Sequence, residues 1–494
     1  MSQYHRILYV WLPTERPIYP TGLVTLANHI HQDFPQIEQQ ILDLSPIAPR
    51  YRSQKLKEVI QTFGPKLLAF SWRDVQTFGP HEGNDPLRDA LKFYHHPNPL
   101  ERLRIAPKML GHFFSYRRQL RGNLKLIRQG HLQTPGSLTV VGGAGFSVFS
   151  EEILAELPQA IVGVKGEGEG PLKDILEQGH PSVRLIQGPH CPTERYEKQK
   201  LDVDYTAKIF PGYTRYLDTA IGIQSKRGCP HRCSYCIYSH LEGRNIRQRE
   251  PKQVVSEIES YHRRWGMRRF WFADSQFIPS HQSAQSCLEL LEGLAALNLP
   301  ITWSGYVRTN MIDQKIARAM VQSGLEDLEV SINSGSQQIV DQLKAGFKME
   351  ALYQGCRNLA EAGYKGNIIL NFSLNAPTET EATLRESVAA YHHICSIFDP
   401  KQVQPYLFFL GVQPHTPLFE QLEQSGYFKG IKQNFFRPSP RLIRKMLHNP
   451  PPLDQLIARS CLKVWKQAQV PERHAGHLIM TELQAQLGPE STRI

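Results

Sequence analysis

Three cysteines stand together near the middle of the chain, in Lys226-Arg-Gly-Cys229-Pro-His-Arg-Cys233-Ser-Tyr-Cys236. The spacing is C-x3-C-x2-C. Thiolates that near in sequence either share one metal centre or coincide by chance. Three ligands on a 4Fe–4S cluster leave one iron without a protein ligand, an open position for a substrate or cofactor. Lys226, Arg227 and Arg232 add positive charge, which favours thiolate over thiol. The competing reading is a structural zinc, with His240 completing a Cys3His tetrahedron. Cys287, Cys356, Cys395 and Cys461 are scattered and lack the spacing of a second cluster, so they read as small buried hydrophobes.

The elements that must hold this loop are legible as patterns. Thr219–Ser225, immediately before the triplet, reads as a strand. It opens a series with strands at Arg269–Asp274, Ile301–Tyr306, Asp327–Ile332, Asn367–Ser373 and Val403–Leu410. Helical patterns fall between them, at Pro251–Trp265, Gln282–Leu297, Asp313–Ser323, Met349–Ala362 and Glu381–Ile394. Six βα units predict a partial (β/α)6 barrel of the TIM type over 219–425, with ligands at the C-terminal ends of the strands. A cysteine loop there sits where such a fold does chemistry, which counts against a structural zinc.

The first 190 residues also alternate. Strands are expected at Arg6–Trp11, Gln40–Asp43, Lys66–Ser71, Leu138–Gly142, Ala160–Val164 and Val183–Gln187, and helices at Gly22–His31, Ser53–Thr62 and Ser150–Leu157. This predicts an α/β domain with a doubly wound, Rossmann-like parallel sheet. Residues 191–218, rich in Pro, Tyr and charges, read as a linker. Residues 426–494 read as a short C-terminal helical extension, with a helix near Leu453–Ala468 and frayed ends at Gly488–Ile494.

The chain of 494 residues carries 57 Lys+Arg against 46 Asp+Glu, a net charge of +11, with 40% hydrophobic and 21% charged residues. Those proportions are ordinary for globular domains and exclude wholesale disorder. The excess charge is local. Pro86–Gly130 holds ten Lys/Arg against Asp89 and Glu101, which gives +8. It lies in an insertion, 72–137, that reads as one or two basic amphipathic helices with Ile105, Met109, Phe113, Tyr116 and Leu120 on the apolar face. Such a patch suits RNA, an anionic lipid surface or a polyanionic substrate; a solvated outer face is the plainer account. His95-His96 reads as a surface turn and His392-His393 as an exposed helical pair. No apolar run is long enough to span a membrane, no secretory h-region opens the chain and cysteines are sparse, so the expected compartment is the cytoplasm.

The triplet, with Tyr235 just before its third cysteine, resembles the radical S-adenosylmethionine superfamily. Further segments resemble that family in order. Phe272-Ala-Asp274-Ser275-Gln-Phe277 is similar to the acidic end of the second strand, and Trp303-Ser-Gly-Tyr306-Val-Arg308 to the third-strand segment of the cobalamin-domain subgroup. Leu328-Glu-Val-Ser331-Ile-Asn333-Ser-Gly-Ser336 resembles the fourth-strand I-E-S-G-S pattern, with Asn333 where Glu is usual. Asn375-Ala-Pro377-Thr-Glu379-Thr380 resembles the G-x-P-G-E-T turn with both glycines replaced, and Pro414-His-Thr416-Pro417 the P-G-T-P turn. The resemblance implies a 4Fe–4S cluster on Cys229, Cys233 and Cys236. It implies S-adenosylmethionine with its adenine on Tyr235, its amino group near Asp274 and Ser275, its carboxylate near Arg308 and its ribose near Ser331 and Asn333. It also implies an electron donor of flavodoxin or ferredoxin type and radical chemistry on an unactivated carbon of an unidentified substrate.

Pro20-Thr-Gly22, Val141-Gly142-Gly143-Ala-Gly145 and Lys165-Gly166-Glu167-Gly168-Glu169 resemble the cobalamin-binding-like domain that precedes many such barrels. Gly22, Gly142, Gly143 and Gly168 are the cobalamin-facing candidates; tight turns would use the same residues. No Asp-x-His-x-x-Gly is present, so a cobalamin here would lack that lower ligand. With cobalamin the implied reaction is methylation; without it, rearrangement or oxidation. The methylthiotransferase branch needs N-terminal cluster cysteines that are absent before Cys191. The replaced Glu and glycines motivate a second reading, a degenerate scaffold whose cluster serves binding or redox sensing without cleaving S-adenosylmethionine.

Overall fold

The structure is a computed structural model that describes residues 3–14, 17–76, 87–468 and 475–488. It divides into two compact units. The first comprises 1–82, 115–228 and 240–273, the second 83–114, 229–239 and 274–494. The expected doubly wound sheet and the six barrel strands are all present.

The first unit is built on β1 (Arg6–Trp11), β2 (Glu38–Asp43), β3 (Leu67–Ser71), β4 (Leu138–Gly142), β5 (Val162–Gly166) and β6 (Leu185–Gly188). They form a parallel sheet in the order β2-β1-β3-β4-β5-β6. The first of these, RILYVW, is buried along nearly its whole length. Continuous apolar strands of this kind belong to sheets covered on both faces. The strand order reverses between β1 and β3, the place where open α/β sheets take ligands. The same unit contains β7 (Ile221–Ile223), β8 (Lys226–Arg227), β9 (Arg247–Gln248) and β10 (Arg269–Phe272). Of these, β7 pairs in parallel with β10, and β8 pairs antiparallel with β9.

Residues 191–218 are not a loose connection. They form helices at Thr193–Glu197 and Val203–Ile209 and a 3-10 turn at Pro211–Tyr216. Asp202 caps the second helix by accepting from the Tyr205 backbone N–H. Tyr196, Phe210 and Tyr216 are buried. Asn28 Nδ2 donates to Thr206 Oγ1 at 2.9 Å, Gln39 Nε2 to the Tyr205 hydroxyl at 2.7 Å, and the Tyr216 hydroxyl to Asp43. The tyrosines that suggested a linker are thus anchors that pack on the sheet's own helix and strand.

The second unit holds β11 (Thr302–Tyr306), β12 (Leu325–Asn333), β13 (Asn367–Leu374) and β14 (Val403–Phe409), parallel neighbours in that order. Leu328, Val330 and Ile332 are fully buried on one face of β12, while Glu329 and Ser331 alternate onto the other. Beyond the strands, helices form at Pro440–Met446, Asp454–Gln467 and Gly476–Leu487. The last of these was not legible in the sequence. Residues 489–494, expected to fray, lie outside the described residues.

The basic insertion is two helices, Leu87–His95 and Pro99–Gln133; the boundary between the units falls within the second. Met109, Tyr116 and Leu120 are buried as the spacing predicted. His95 is not a surface residue. It is buried, ends its helix and meets Asp454 at 3.4 Å, and burial pushes its pKa down. Asp89 is also buried and accepts from Lys108 Nζ at 2.7 Å and His112 Nε2 at 2.9 Å. Part of the insertion's charge is therefore neutralised internally.

Candidate functional site

The cysteine loop is held at both ends. At its start, β8 leaves its ladder through Gly228, which has φ +86 and whose added Cβ would meet the Asn245 carbonyl oxygen at 2.1 Å. Only glycine fits there. Further on, Ser234 is buried; its N–H donates to the Leu343 carbonyl at 2.9 Å and its own carbonyl accepts from the Leu418 N–H at 2.8 Å. Tyr235 packs on the apolar cluster of Ile339, Leu343, Ala376, Leu410 and Leu418. The loop is therefore tied to the segments that follow β12, β13 and β14.

Cys229, Cys233 and Cys236 are not in disulfides and are partly exposed. Among the described residues, no three His, Cys, Asp or Glu side chains converge closely enough to hold a single metal ion. A tetrahedral zinc with bonds of about 2.3 Å would draw its sulfurs to about 3.8 Å from one another. A cubane takes one thiolate per iron and sets the three further apart.

Arg308 brings a cation to Cys233. It is buried, and its Nη2 lies 3.2 Å from Cys233 Sγ while Nη1 has no hydrogen-bond partner. Its backbone N–H donates to Gln276 Oε1 at 2.9 Å. Two of the cations expected to favour thiolate are engaged elsewhere. Arg227 pairs with Glu167 at 3.0 Å and Glu169 at 2.8 Å, and Lys226 is buried with its ammonium 2.7 Å from Ser225 Oγ. Arg232 is exposed.

Tyr235 and Asn333 come together: Asn333 Nδ2 donates to the Tyr235 hydroxyl at 2.7 Å. Burial, then the neighbouring Cys233 and Cys236, pushes the Tyr235 hydroxyl well above its usual pKa. Asp274 is buried, Ser275 half-buried, and both follow β10; Ser331 lies on β12, two residues before Asn333. Asn333 has φ +59, a left-handed conformation that asparagine tolerates better than most residues.

The replaced glycines keep the backbone that glycine would have supplied. Asn375 has φ +55, Thr378 φ +65 and His415 φ +61. The substitutions change the side chains at these turns while the unusual dihedrals persist. Asn375 Nδ2 donates to Asn449 Oδ1 at 2.6 Å and to the Pro450 carbonyl at 2.7 Å, tying the turn to the C-terminal extension. Between these positions, buried Glu379 accepts from the Ala376 N–H at 2.9 Å, and burial pushes its pKa up to about 7.

One row of residues was missed by sequence reasoning. Tyr306 and Glu329 are register partners on β11 and β12, and Asn371 and Tyr406 are partners on β13 and β14. The Tyr306 hydroxyl donates to Glu329, and Asn371 Nδ2 lies 3.5 Å from Glu329 Oε2. Burial raises the Glu329 pKa, and Asp327 raises it further. These side chains share the strand face of Ser331. A polar alternation in otherwise apolar strands was the available signal.

In the first unit, Glu167 receives Arg227, Arg247 Nη1 at 2.6 Å, the Cys191 N–H at 2.7 Å and His190 Nδ1 at 3.2 Å. The Lys165–Glu169 segment therefore orders the chain around β8 and β9. The four candidate glycines differ. An added Cβ would meet the Trp72 carbonyl at 2.6 Å at Gly143, the Val164 carbonyl at 3.4 Å at Gly142 and Leu26 at 3.4 Å at Gly168; at Gly22 it would meet nothing within 4 Å. Protein fills the space at Gly143, and only Gly22 opens onto a free volume.

Parallel βα repeats with a three-cysteine loop after the first barrel strand are the arrangement in which the sequence resembles the radical S-adenosylmethionine superfamily. Residues 223–390 match the family model described as the Radical SAM superfamily. An uncharacterized methyltransferase of Pyrococcus horikoshii is 23% identical over 50% of this chain and 56% of its own length. The anaerobic magnesium-protoporphyrin IX monomethyl ester cyclase of Cereibacter sphaeroides is 24% identical over 62% of this chain and 52% of its own. The chain thus spans about half the length of these curated relatives. Among solved structures, the radical S-adenosylmethionine methyltransferase TsrM of Kitasatospora setae, with cobalamin and a 4Fe–4S cluster bound, is 18% identical. It aligns with a TM-score of 0.64 over 86% of this chain and 76% of its own. That likeness extends the shared fold to the N-terminal sheet.

Proposed function

We propose that this protein is a radical S-adenosylmethionine enzyme that methylates an unactivated carbon with cobalamin as methyl carrier. The observation that carries the first part is Arg308. A buried guanidinium with one nitrogen on a cluster cysteine and the other without an acceptor is suited to a carboxylate beside the open iron. The cluster and S-adenosylmethionine, when bound, supply reductive C–S cleavage and a carbon radical able to take hydrogen from a substrate. Cys229, Cys233 and Cys236 would hold the cluster. Arg308 would bind the methionine carboxylate, and Asp274 and Ser275 its amino group. Tyr235, oriented by Asn333, would flank the adenine, with Ser331 and Asn333 at the ribose. The Tyr306–Glu329–Asn371–Tyr406 row would face the substrate, with Glu329 accepting a hydrogen bond from it.

Cobalamin is supported by the fold shared with TsrM, by the strand reversal between β1 and β3, and by the open position at Gly22. The chain around Pro20–Gly22 would meet it. Electrons would come from a flavodoxin or ferredoxin. The competing module reading loses part of its motive, because the turns keep their dihedrals without the glycines.

The test is anaerobic reconstitution with iron, sulfide and cobalamin, followed by dithionite and S-adenosylmethionine. The proposal expects 5′-deoxyadenosine and retained cobalamin. Cluster assembly without binding or cleavage of S-adenosylmethionine would favour the module. Cleavage without any cobalamin retention would remove the methylation reading.

A further inference from the structure

The helix Pro99–Gln133 buries one face and leaves an apolar stripe on the other. Leu100, Leu103, Leu110 and Phe114 are 66%, 69%, 54% and 59% exposed. Their positions, i, i+3, i+10 and i+14, fall on one side of a helix at 3.6 residues per turn, and Pro107 lies on the same line. At 1.5 Å per residue the stripe is about 20 Å long. Scattered exposed leucines are ordinary, but four large apolar side chains on one line mark a contact surface.

The surroundings are basic. Residues 87–114 carry Arg88, Lys92, Arg102, Arg104 and Lys108 against Asp89 and Glu101. The helix Pro440–Met446 brings Arg441, Arg444 and Lys445 with no acid, and it touches this region: Arg444 lies over the Tyr94 ring at 5.5 Å. The long helix continues in sequence with Arg117, Arg118, Arg121, Lys125 and Arg128 and contains one acid, Glu101.

We propose that this face docks on an anionic lipid bilayer, with Leu100, Leu103, Leu110 and Phe114 entering the headgroup–acyl boundary and the basic side chains reaching lipid phosphates. Apolar penetration flanked by Lys and Arg is the chemistry of an in-plane interfacial helix. Among the described residues no helix is long and apolar enough to cross the bilayer, so the contact is with its surface. Two alternatives fit less well. A second copy packing across a two-fold axis would bring the same basic flanks together. RNA would leave the leucines without a partner, since aliphatic side chains neither stack on bases nor bond to phosphates.

The experiment is co-sedimentation of the full chain with extruded vesicles of phosphatidylcholine, or of phosphatidylcholine with about 30% phosphatidylglycerol, at low and high salt. Binding is expected to the anionic vesicles only, weakening as salt rises. The triple variant Leu103→Ser, Leu110→Ser, Phe114→Ser should bind at least about tenfold more weakly. Phe114→Trp gives a second readout that does not depend on the triple variant folding: its emission should shift to the blue on adding anionic vesicles and stay unchanged with neutral ones. Equal binding by the triple variant, equal binding to neutral vesicles, or an unshifted emission from the Phe114→Trp reporter would overturn the proposal. So would self-association or RNA binding that the triple variant abolishes in a chain that ignores vesicles.

Discussion

Glu379 offers a quantitative test of the turn that follows β13. The carboxyl is buried, its Oε2 accepts from the Ala376 N–H and its Oε1 has no partner, and its pKa stands at about 7 against an ordinary 4.5. Burial disfavours the charge by more than the backbone N–H groups of Ala376 and Asn375 restore it. The folded state then binds the proton more tightly than the unfolded chain. Its contribution is complete below pH 4.5 and is lost as pH rises through 7. At 1.36 kcal/mol per pKa unit, the loss is about 1 kcal/mol at pH 5 and about 3 kcal/mol at pH 8. Glu379→Gln keeps an oxygen for the Ala376 N–H and cannot ionise. It should melt close to wild type at pH 5 and several degrees higher at pH 8, at roughly 2–4 °C per kcal/mol for a domain of this order of size. Differential scanning calorimetry of both proteins at the two pH values is the assay. A melting difference independent of pH, or a variant less stable at pH 8, would refute the account of a buried carboxyl kept neutral.

Three further outcomes follow from named contacts. Gly228→Ala meets the Asn245 carbonyl and an unfavourable φ, so it should lower iron bound after reconstitution to less than half while far-ultraviolet circular dichroism stays unchanged; full iron loading would contradict this. Arg227→Met leaves buried Glu169 without its ion pair, while Glu167 keeps Arg247, and should destabilise by about 3–5 kcal/mol, read as lost soluble expression or a large drop in melting temperature. Asn333→Ala removes the donor to the Tyr235 hydroxyl and should cost about 1 kcal/mol, with S-adenosylmethionine binding weakened in calorimetry; unchanged affinity would show that Tyr235 does not need it.

Much of the fold was legible because each strand is a compact apolar run. Arg6–Trp11 and Leu138–Gly142 have the expected limits, and the helix Pro251–Trp265 does too. The helices of 193–209 were not legible because each is too short to show a period, and their stability comes from contacts with Asn28 and Gln39, far away in sequence. The cysteine triplet could be read from spacing alone. The fate of Arg227 could not, because its partners lie about 60 residues upstream. Asn375 and Thr378 looked like losses in the sequence. The structure keeps the left-handed turns, because surrounding contacts can hold a non-glycine residue there at modest cost. Arg308 was expected near the methionine carboxylate; its place against Cys233 Sγ required the fold.

The central claim is that Cys229, Cys233 and Cys236 hold a cluster with an open iron next to Arg308. Electron paramagnetic resonance of the reduced, reconstituted protein tests it most directly, recorded with and without S-adenosylmethionine. The account predicts a 4Fe–4S signal that changes when S-adenosylmethionine is added and keeps its original form in Arg308→Met. A signal indifferent to S-adenosylmethionine in the wild-type protein, or a protein that takes up zinc in place of iron, would contradict it.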